Sequence, residues 1–205
     1  MTASDERVAL RGICACAVRI SQEEVSDFCS VLSLADRVFV AGSADATTLA
    51  ALFRLGLAEF GFDAHVLDTT TVRHVEPIDT VVTIAGPEPD AALTDIVRIV
   101  VDTQAVLLAV ATHRTPLLLR RADAAITVPW TAGTESMRKE SAEDVFDLMS
   151  LVTIHAIRRD LTRRCSRNNP PGAAVDGLSH PTEHLSAPIP HSNTARGSTT
   201  CNRMS

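Results

Sequence analysis

Short apolar runs alternating with amphipathic helical segments predict an α/β protein, a three-layer sandwich in which a five-stranded parallel sheet is covered by helices on both faces. Two further observations support this class. The apolar runs are continuous rather than alternating, as expected for strands buried on both faces. Each run also ends in glycine, threonine or proline, where a crossover connection begins. The pattern fills residues 1–164, with its core at about 32–160 and N- and C-terminal helices around it, and stops there.

The first helical stretch spans about Asp5 to Ile20. Ser21-Gln22-Glu23-Glu24 then forms a capping box, in which serine and glutamate side chains each satisfy a free amide at a helix start. Behind it Val25, Phe28, Cys29 and Leu32 share one helical face. Arg37 to Ala41 is the first strand. Leu49, Leu52, Phe53, Leu57 and Phe60 mark a helix that Gly61 closes. Ala64 to Asp68 and Asp79 to Ala85 are the second and third strands. Pro89 suits the first turn of a helix running to about Asp102. Ala105 to Ala111 is the fourth strand, Leu117 to Ala122 a short helix, and Ala124 to Val128 the fifth strand. A last helix is expected from about Glu143 to Arg164, started by Ser141. It carries two apolar stripes: Phe146, Met149, Val152 and Ala156, and Leu148, Leu151, Ile154 and Ile157. Two stripes predict packing on the sheet and in an oligomer interface as well, with two-sided burial by the N-terminal helices as the alternative.

Residues 165–205 change character. Prolines, serines and scattered histidines replace the apolar periodicity, so a disordered C-terminal tail is expected. His180 and His184 have a spacing that could hold zinc on a helix, but Pro181 lies between them. Cys14 and Cys16 read as small buried hydrophobes rather than a metal or redox pair. No metal and no cofactor is expected.

Composition narrows the function. Hydrophobic residues make up 45% of the 205 residues and aromatics 3%, which builds the core from Val, Leu, Ile and Ala. A net charge of −6 argues against a nucleic-acid partner. No apolar run approaches the roughly 20 residues needed to cross a bilayer, so no membrane partner is expected. Five cysteines without framework spacing and a polar N-terminus point to the cytoplasm.

In an open parallel sheet the ligand lies at the carboxyl ends of the strands. Three loops qualify: Gly42 to Thr48, Gly86 to Asp90, and Thr112 to Thr115. In the first, small residues let an anion approach helix-terminal amides, and Ser43, Thr47 and Thr48 add hydroxyls. It is neither a Walker A loop nor a dinucleotide fingerprint.

The strand end Phe39-Val40-Ala41-Gly42, the helix end Glu59-Phe60-Gly61-Phe62, Thr83 to Gly86, and Ala109 to Thr112 with Arg121-Ala122-Asp123 resemble SIS (sugar isomerase) domains. The match is closest to 6-phospho-3-hexuloisomerases and covers about 32–160. The resemblance implies a flavodoxin-like five-stranded sandwich, a dimer or tetramer formed through the 143–164 helix, and a sugar-phosphate pocket between subunits. Its ligand-binding positions fall on Gly42, Ser43, Asp45, Thr47, Thr48, Gly86, Glu88, Thr112 and Arg114, and its acid/base positions on Glu59 and Asp147.

The chain departs from that pattern in both phosphate loops. Asp45 and Ala46 stand where the family carries Arg and Ser. Pro87 and Pro89 remove amide donors, and Glu88 and Asp90 bring negative charge to an anion site. Two functions follow. One is a phosphosugar-binding protein with weakened or lost catalysis. The other is an active phosphosugar isomerase with a rearranged site. A third option, a divalent-cation pocket of Asp45, Glu88 and Asp90 as in receiver domains, conflicts with Ala85-Gly86 at the end of the third strand and with Pro129 after the fifth.

Overall fold

The computed structural model describes residues 18–129 and 139–168, with the backbone alone for 139–144 and 168. Strands β1 (Arg37–Gly42), β2 (Asp63–Val66), β3 (Thr80–Ala85), β4 (Val106–Thr112) and β5 (Ala124–Val128) form one parallel sheet in the order β2-β1-β3-β4-β5. Strand β1 pairs on one side with β2 (Phe39 opposite His65) and on the other with β3 (Phe39 opposite Val81). The strand order therefore reverses between β1 and β3, the switch point at which a crevice opens. The predicted fold class and all five strands are present. The earlier stretch about Asp5 to Ile20 lies largely outside the described residues, as do Cys14, Cys16, Cys201, His180, His184 and the segment from 169 onward.

The helices are α1 (Gln22–Leu32), α2 (Thr47–Glu59), α3 (Ala91–Thr103), α4 (Pro116–Arg121) and α5 (Lys139–Asn168). Side chains alternate along each strand, so Val40, Ile84, Val110 and Ile126 face one way and Ala41, Ala85, Leu107 and Ala109 the other. The first set packs against Phe28 of α1, Phe53 of α2 and Phe146 and Met149 of α5. The second packs against Leu93, Ile96 and Val100 of α3 and Leu118 of α4. These two apolar layers hold the sandwich.

Local chemistry corrects several expectations. The Glu24 N–H donates to Ser21 Oγ at 3.2 Å, which caps α1. The Glu24 carboxylate does not return to the helix start. It accepts from the Thr127 N–H at 2.8 Å, because β5 is an edge strand with outward amides to satisfy. Pro89 does not begin α3. Asp90 is the cap, its Oδ1 accepting from Leu93 N–H at 2.7 Å, and Pro89 precedes it. Helix α5 starts at Lys139 and runs to Asn168, past the expected Arg164. Its buried face holds Phe146, Met149, Ile154, Ile157 and Leu161, whereas Leu148 and Leu151 are 45% and 40% exposed. The second stripe is thus split, half joining the core and half facing outward.

Gly61, at φ +88°, lets the chain leave α2 toward β2. After β2, Asp68 folds a tight turn by accepting from the Thr70 hydroxyl at 2.6 Å and from the Thr70 and Thr71 amides, each at 2.8 Å. The Thr70 hydroxyl, with these amides, pulls the Asp68 carboxyl down to about 2. A depressed folded value contributes stability above the unfolded value of about 4 and loses it as pH falls through about 2. Asp68→Asn is therefore expected to lower stability at neutral pH and to flatten its fall between those limits. Urea unfolding at a series of pH values checks this, and parallel wild-type and variant curves would contradict it.

Candidate functional site

The β1–α2 loop turns through a short 3-10 segment, Ala44–Ala46, directly beyond the switch point. Gly42 makes this turn possible. A Cβ there would lie 2.4 Å from the Ala46 carbonyl oxygen, a backbone atom that cannot swing aside. Gly42→Ala is expected to cost on the order of 2 kcal/mol by forcing the loop to shift. Chemical denaturation measures it, and an unchanged midpoint would refute the close approach.

Polar groups at the switch point are tied to one another. Ser43 is buried, and its Oγ accepts from the Gly86 N–H at 3.0 Å. The Ser43 N–H donates to the Ile84 carbonyl at 3.0 Å. Asp90 spans the two loops: Oδ2 accepts from the Ala44 N–H at 2.7 Å, while Oδ1 caps α3. A carboxylate of the chain itself thus holds one amide of the first loop and one of the second helix start. Thr47 Oγ1 donates back to the carbonyls of Ser43 and Ala44, at 3.3 and 3.1 Å. On the α5 face Phe146 closes over the same spot, its Cε1 only 3.8 Å from where a Cβ on Gly86 would be.

The remaining binding positions are more open. Asp45, Thr48, Glu88 and Arg114 are exposed. Thr112 is buried and works as a turn residue, its Oγ1 accepting from the Arg114 N–H at 3.3 Å and its carbonyl from Thr115. Gly42, Ser43, Gly86, Glu88, Thr112 and Arg114 lie at the same end of the sheet, as do Asp45, Thr47 and Thr48 at the head of α2.

Glu59 and Asp147 are not brought together within one chain. Glu59 is the last residue of α2, about 18 Å along the helix from Thr47 by the usual rise. Its carboxylate pairs at 2.5 Å with Arg158 of α5. Arg158 is itself about 16 Å along α5 from Asp147. Asp147 follows Phe146, so it belongs to the loop end of the sheet, and Glu59 to the opposite end. Nor does an acidic metal cluster form: among the described residues no group of three or more His, Cys, Asp or Glu could hold an ion.

Asp90 was legible only as an unwanted charge. The Asp90-x-x-Leu93 spacing after a proline is the signal for a helix cap, and the cap aims the second oxygen at the first loop. Nothing in the linear pattern marks Phe146 as the residue over Gly86, because that contact depends on how α5 crosses the sheet.

No sequence-family profile matches the chain, and no curated protein does. Solved structures match well. Phosphoheptose isomerase from Neisseria gonorrhoeae superposes with a TM-score of 0.61 at 14% identity, over 78% of this chain and 96% of that one. A Methanococcus jannaschii protein, whose structure was taken to infer 3-hexulose-6-phosphate isomerase function, gives 0.59 at 14% identity over 70% and 78%. The Vibrio vulnificus NanR protein, in complex with ManNAc-6P, gives 0.61 at 10% identity over 82% and 69%. The chain has the sugar isomerase domain fold, as the strand-end motifs led us to expect. Among the described residues no helix is long and apolar enough to cross a membrane.

Proposed function

We propose that this chain is a phosphosugar-derivative-binding protein of the sugar isomerase fold, related to 6-phospho-3-hexuloisomerases, in which isomerisation is weakened or lost. The observation that carries the reading is the Asp90 bridge. An incoming phosphate must compete with a carboxylate already seated on the Ala44 amide, 2.7 Å away, and must bring its charge beside Asp90 and Glu88. Moving a proton between neighbouring ketose carbons also needs a base within hydrogen-bond reach, and Glu59 is engaged by Arg158 at the far end of α2. What remains for binding is exposed Thr48 and Arg114, since the amides on either side of Asp45 are taken by Asp90 and by the Ser43 carbonyl. The free thiols Cys29 and Cys165 suit a cytoplasmic setting. Burial, with Asp160 nearby, pushes the Cys29 thiol up to about 12 and keeps it unreactive.

Thermal unfolding of the full chain against a panel of hexose and hexulose phosphates tests the binding half. A saturable rise in midpoint at millimolar phosphosugar supports it. No rise with any member would sink it.

The alternative, an active isomerase with a rearranged site, shares with this reading an expected homo-oligomer. Leu52 and Leu55 of α2 and Leu148 and Leu151 of α5 are exposed on helices that pack together. A second copy seated there would form the homo-oligomer and set new neighbours beside Glu59. Sedimentation of the wild type and Leu151→Glu measures this: a wild-type oligomer that the variant dissociates is expected, and a monomeric wild type contradicts it.

A further inference from the structure

The open volume near the strand ends lies on the sheet face away from Phe146. A groove of about 430 Å³ runs between α3 and α4, within the range of small-molecule sites. Its floor is apolar, made by Leu93, Val97 and Leu118. Its two ends differ in charge. The near end, at the loops, holds Glu88 and Asp90 against Arg114. Both helices run back from the loops toward the other end of the sheet, which places Arg98 about 12 Å along α3 from Asp90 and Arg121 about 9 Å along α4 from Thr115. The far end is therefore cationic. Arg98 shares only a solvent-exposed ion pair with Asp95 at 3.1 Å, a kind that contributes little and exchanges readily. Arg121 has no carboxylate partner among the described residues, and neither does Arg114.

We propose that this groove is a binding site for a small organic acid with an apolar body: a carboxylate or phosphate monoester whose anionic head meets Arg121 and Arg98 and whose hydrocarbon part lies on Val97 and Leu118. The apolar floor supplies most of the contact area and the guanidiniums select for charge, the division of labour typical of such sites. A bare phosphosugar lacks the apolar body, and the groove meets the loops only at its near end, where Glu88, Asp90 and Arg114 lie, so the acid is placed toward the far end.

The test titrates the isotope-labelled full chain with phenylbutyrate and follows backbone amides by NMR. Saturable shifts confined to α3 and α4 are expected, with phenylbutanol and inorganic phosphate each roughly tenfold weaker or worse. Arg121→Glu, at an exposed position, is expected to weaken the acid by roughly tenfold, and Val97→Asp to remove its binding. The proposal is overturned if no saturable shift occurs, if the alcohol or inorganic phosphate binds as tightly as the acid, or if neither variant changes the affinity. Phosphosugar shifts at 42–48 in the same spectra report separately on the loops.

Discussion

Asp79→Ala is expected to lower unfolding free energy at neutral pH by about 2 to 3 kcal/mol, the scale for losing hydrogen bonds to a charged group. Asp79 closes the amino end of the sheet. Its side chain is 1% exposed and receives Arg37 in a two-pronged pair, Nε to Oδ1 and Nη2 to Oδ2, both at 2.7 Å. The Glu76 N–H adds a third bond at 2.6 Å, and the Asp79 carbonyl accepts from Val106 at the start of β4. Arg37 lies at the start of β1 with its guanidinium over the Phe39 ring, 5.2 Å from the centroid. The carboxylate therefore ties β1 to the turn that enters β3, while the main-chain carbonyl of the same residue reaches β4.

Burial alone would raise the Asp79 carboxyl. The Arg37 hydrogen bonds, the Glu76 amide and the Arg37 charge outweigh it and hold the group below the ordinary carboxylate value. A depressed folded value gives stability that is present above the unfolded value of about 3.9 and lost as pH falls through the folded one. The wild type should therefore exceed Asp79→Ala at pH 7, and the two should converge in acid. Arg37→Ala should raise the Asp79 titration, which carboxyl NMR can follow. Equal stabilities at pH 7 would mean that solvent around the third-exposed Arg37 side chain has screened the pair away.

The second large effect concerns affinity. Asp90→Ser keeps a helix-capping oxygen, so the loss of stability should be small. It removes a carboxylate and frees the Ala44 amide. At ~5 Å and an effective dielectric of ~20, repulsion between Asp90 and one phosphate charge is on the order of 3 kcal/mol. Solvent at the loop reduces this, and a gain of roughly tenfold in phosphosugar affinity is the expected result by calorimetric titration. Asp90→Glu should give no gain, because it restores the charge. Unchanged or weaker binding in the serine variant would show that the bridge does not oppose the ligand.

The sheet was legible because its strands are continuous apolar runs, such as Thr80 to Ala85, that can do little but lie buried between helices. Boundaries shifted by a residue or two around the sheet and by four at each end of α5; at α3, Pro89 reads as a helix start while the neighbouring Asp90 offers the better cap. The split of the α5 stripes was not legible. Which of Leu148, Leu151, Ile154 and Ile157 is buried depends on the angle at which α5 crosses the sheet.

The site was legible in place more than in state. Gly42, Gly86 and Thr112 mark the strand ends, and glycine at 42 is required by a carbonyl that sequence alone does not locate. That Ser43 is consumed by Gly86, and Ala44 by Asp90, follows from contacts across more than 40 residues of chain. Glu59 illustrates the other limit. Motif position sets it beside a family base, while helix geometry carries it to the far end of α2.

The most direct measurement is a carbon NMR time course of the full chain at high concentration with hexulose 6-phosphates. No interconversion above a protein-free blank is expected. Steady turnover that scales with protein concentration would contradict it, and would mean that the Asp90 bridge opens and that a second copy or a moved side chain supplies the base.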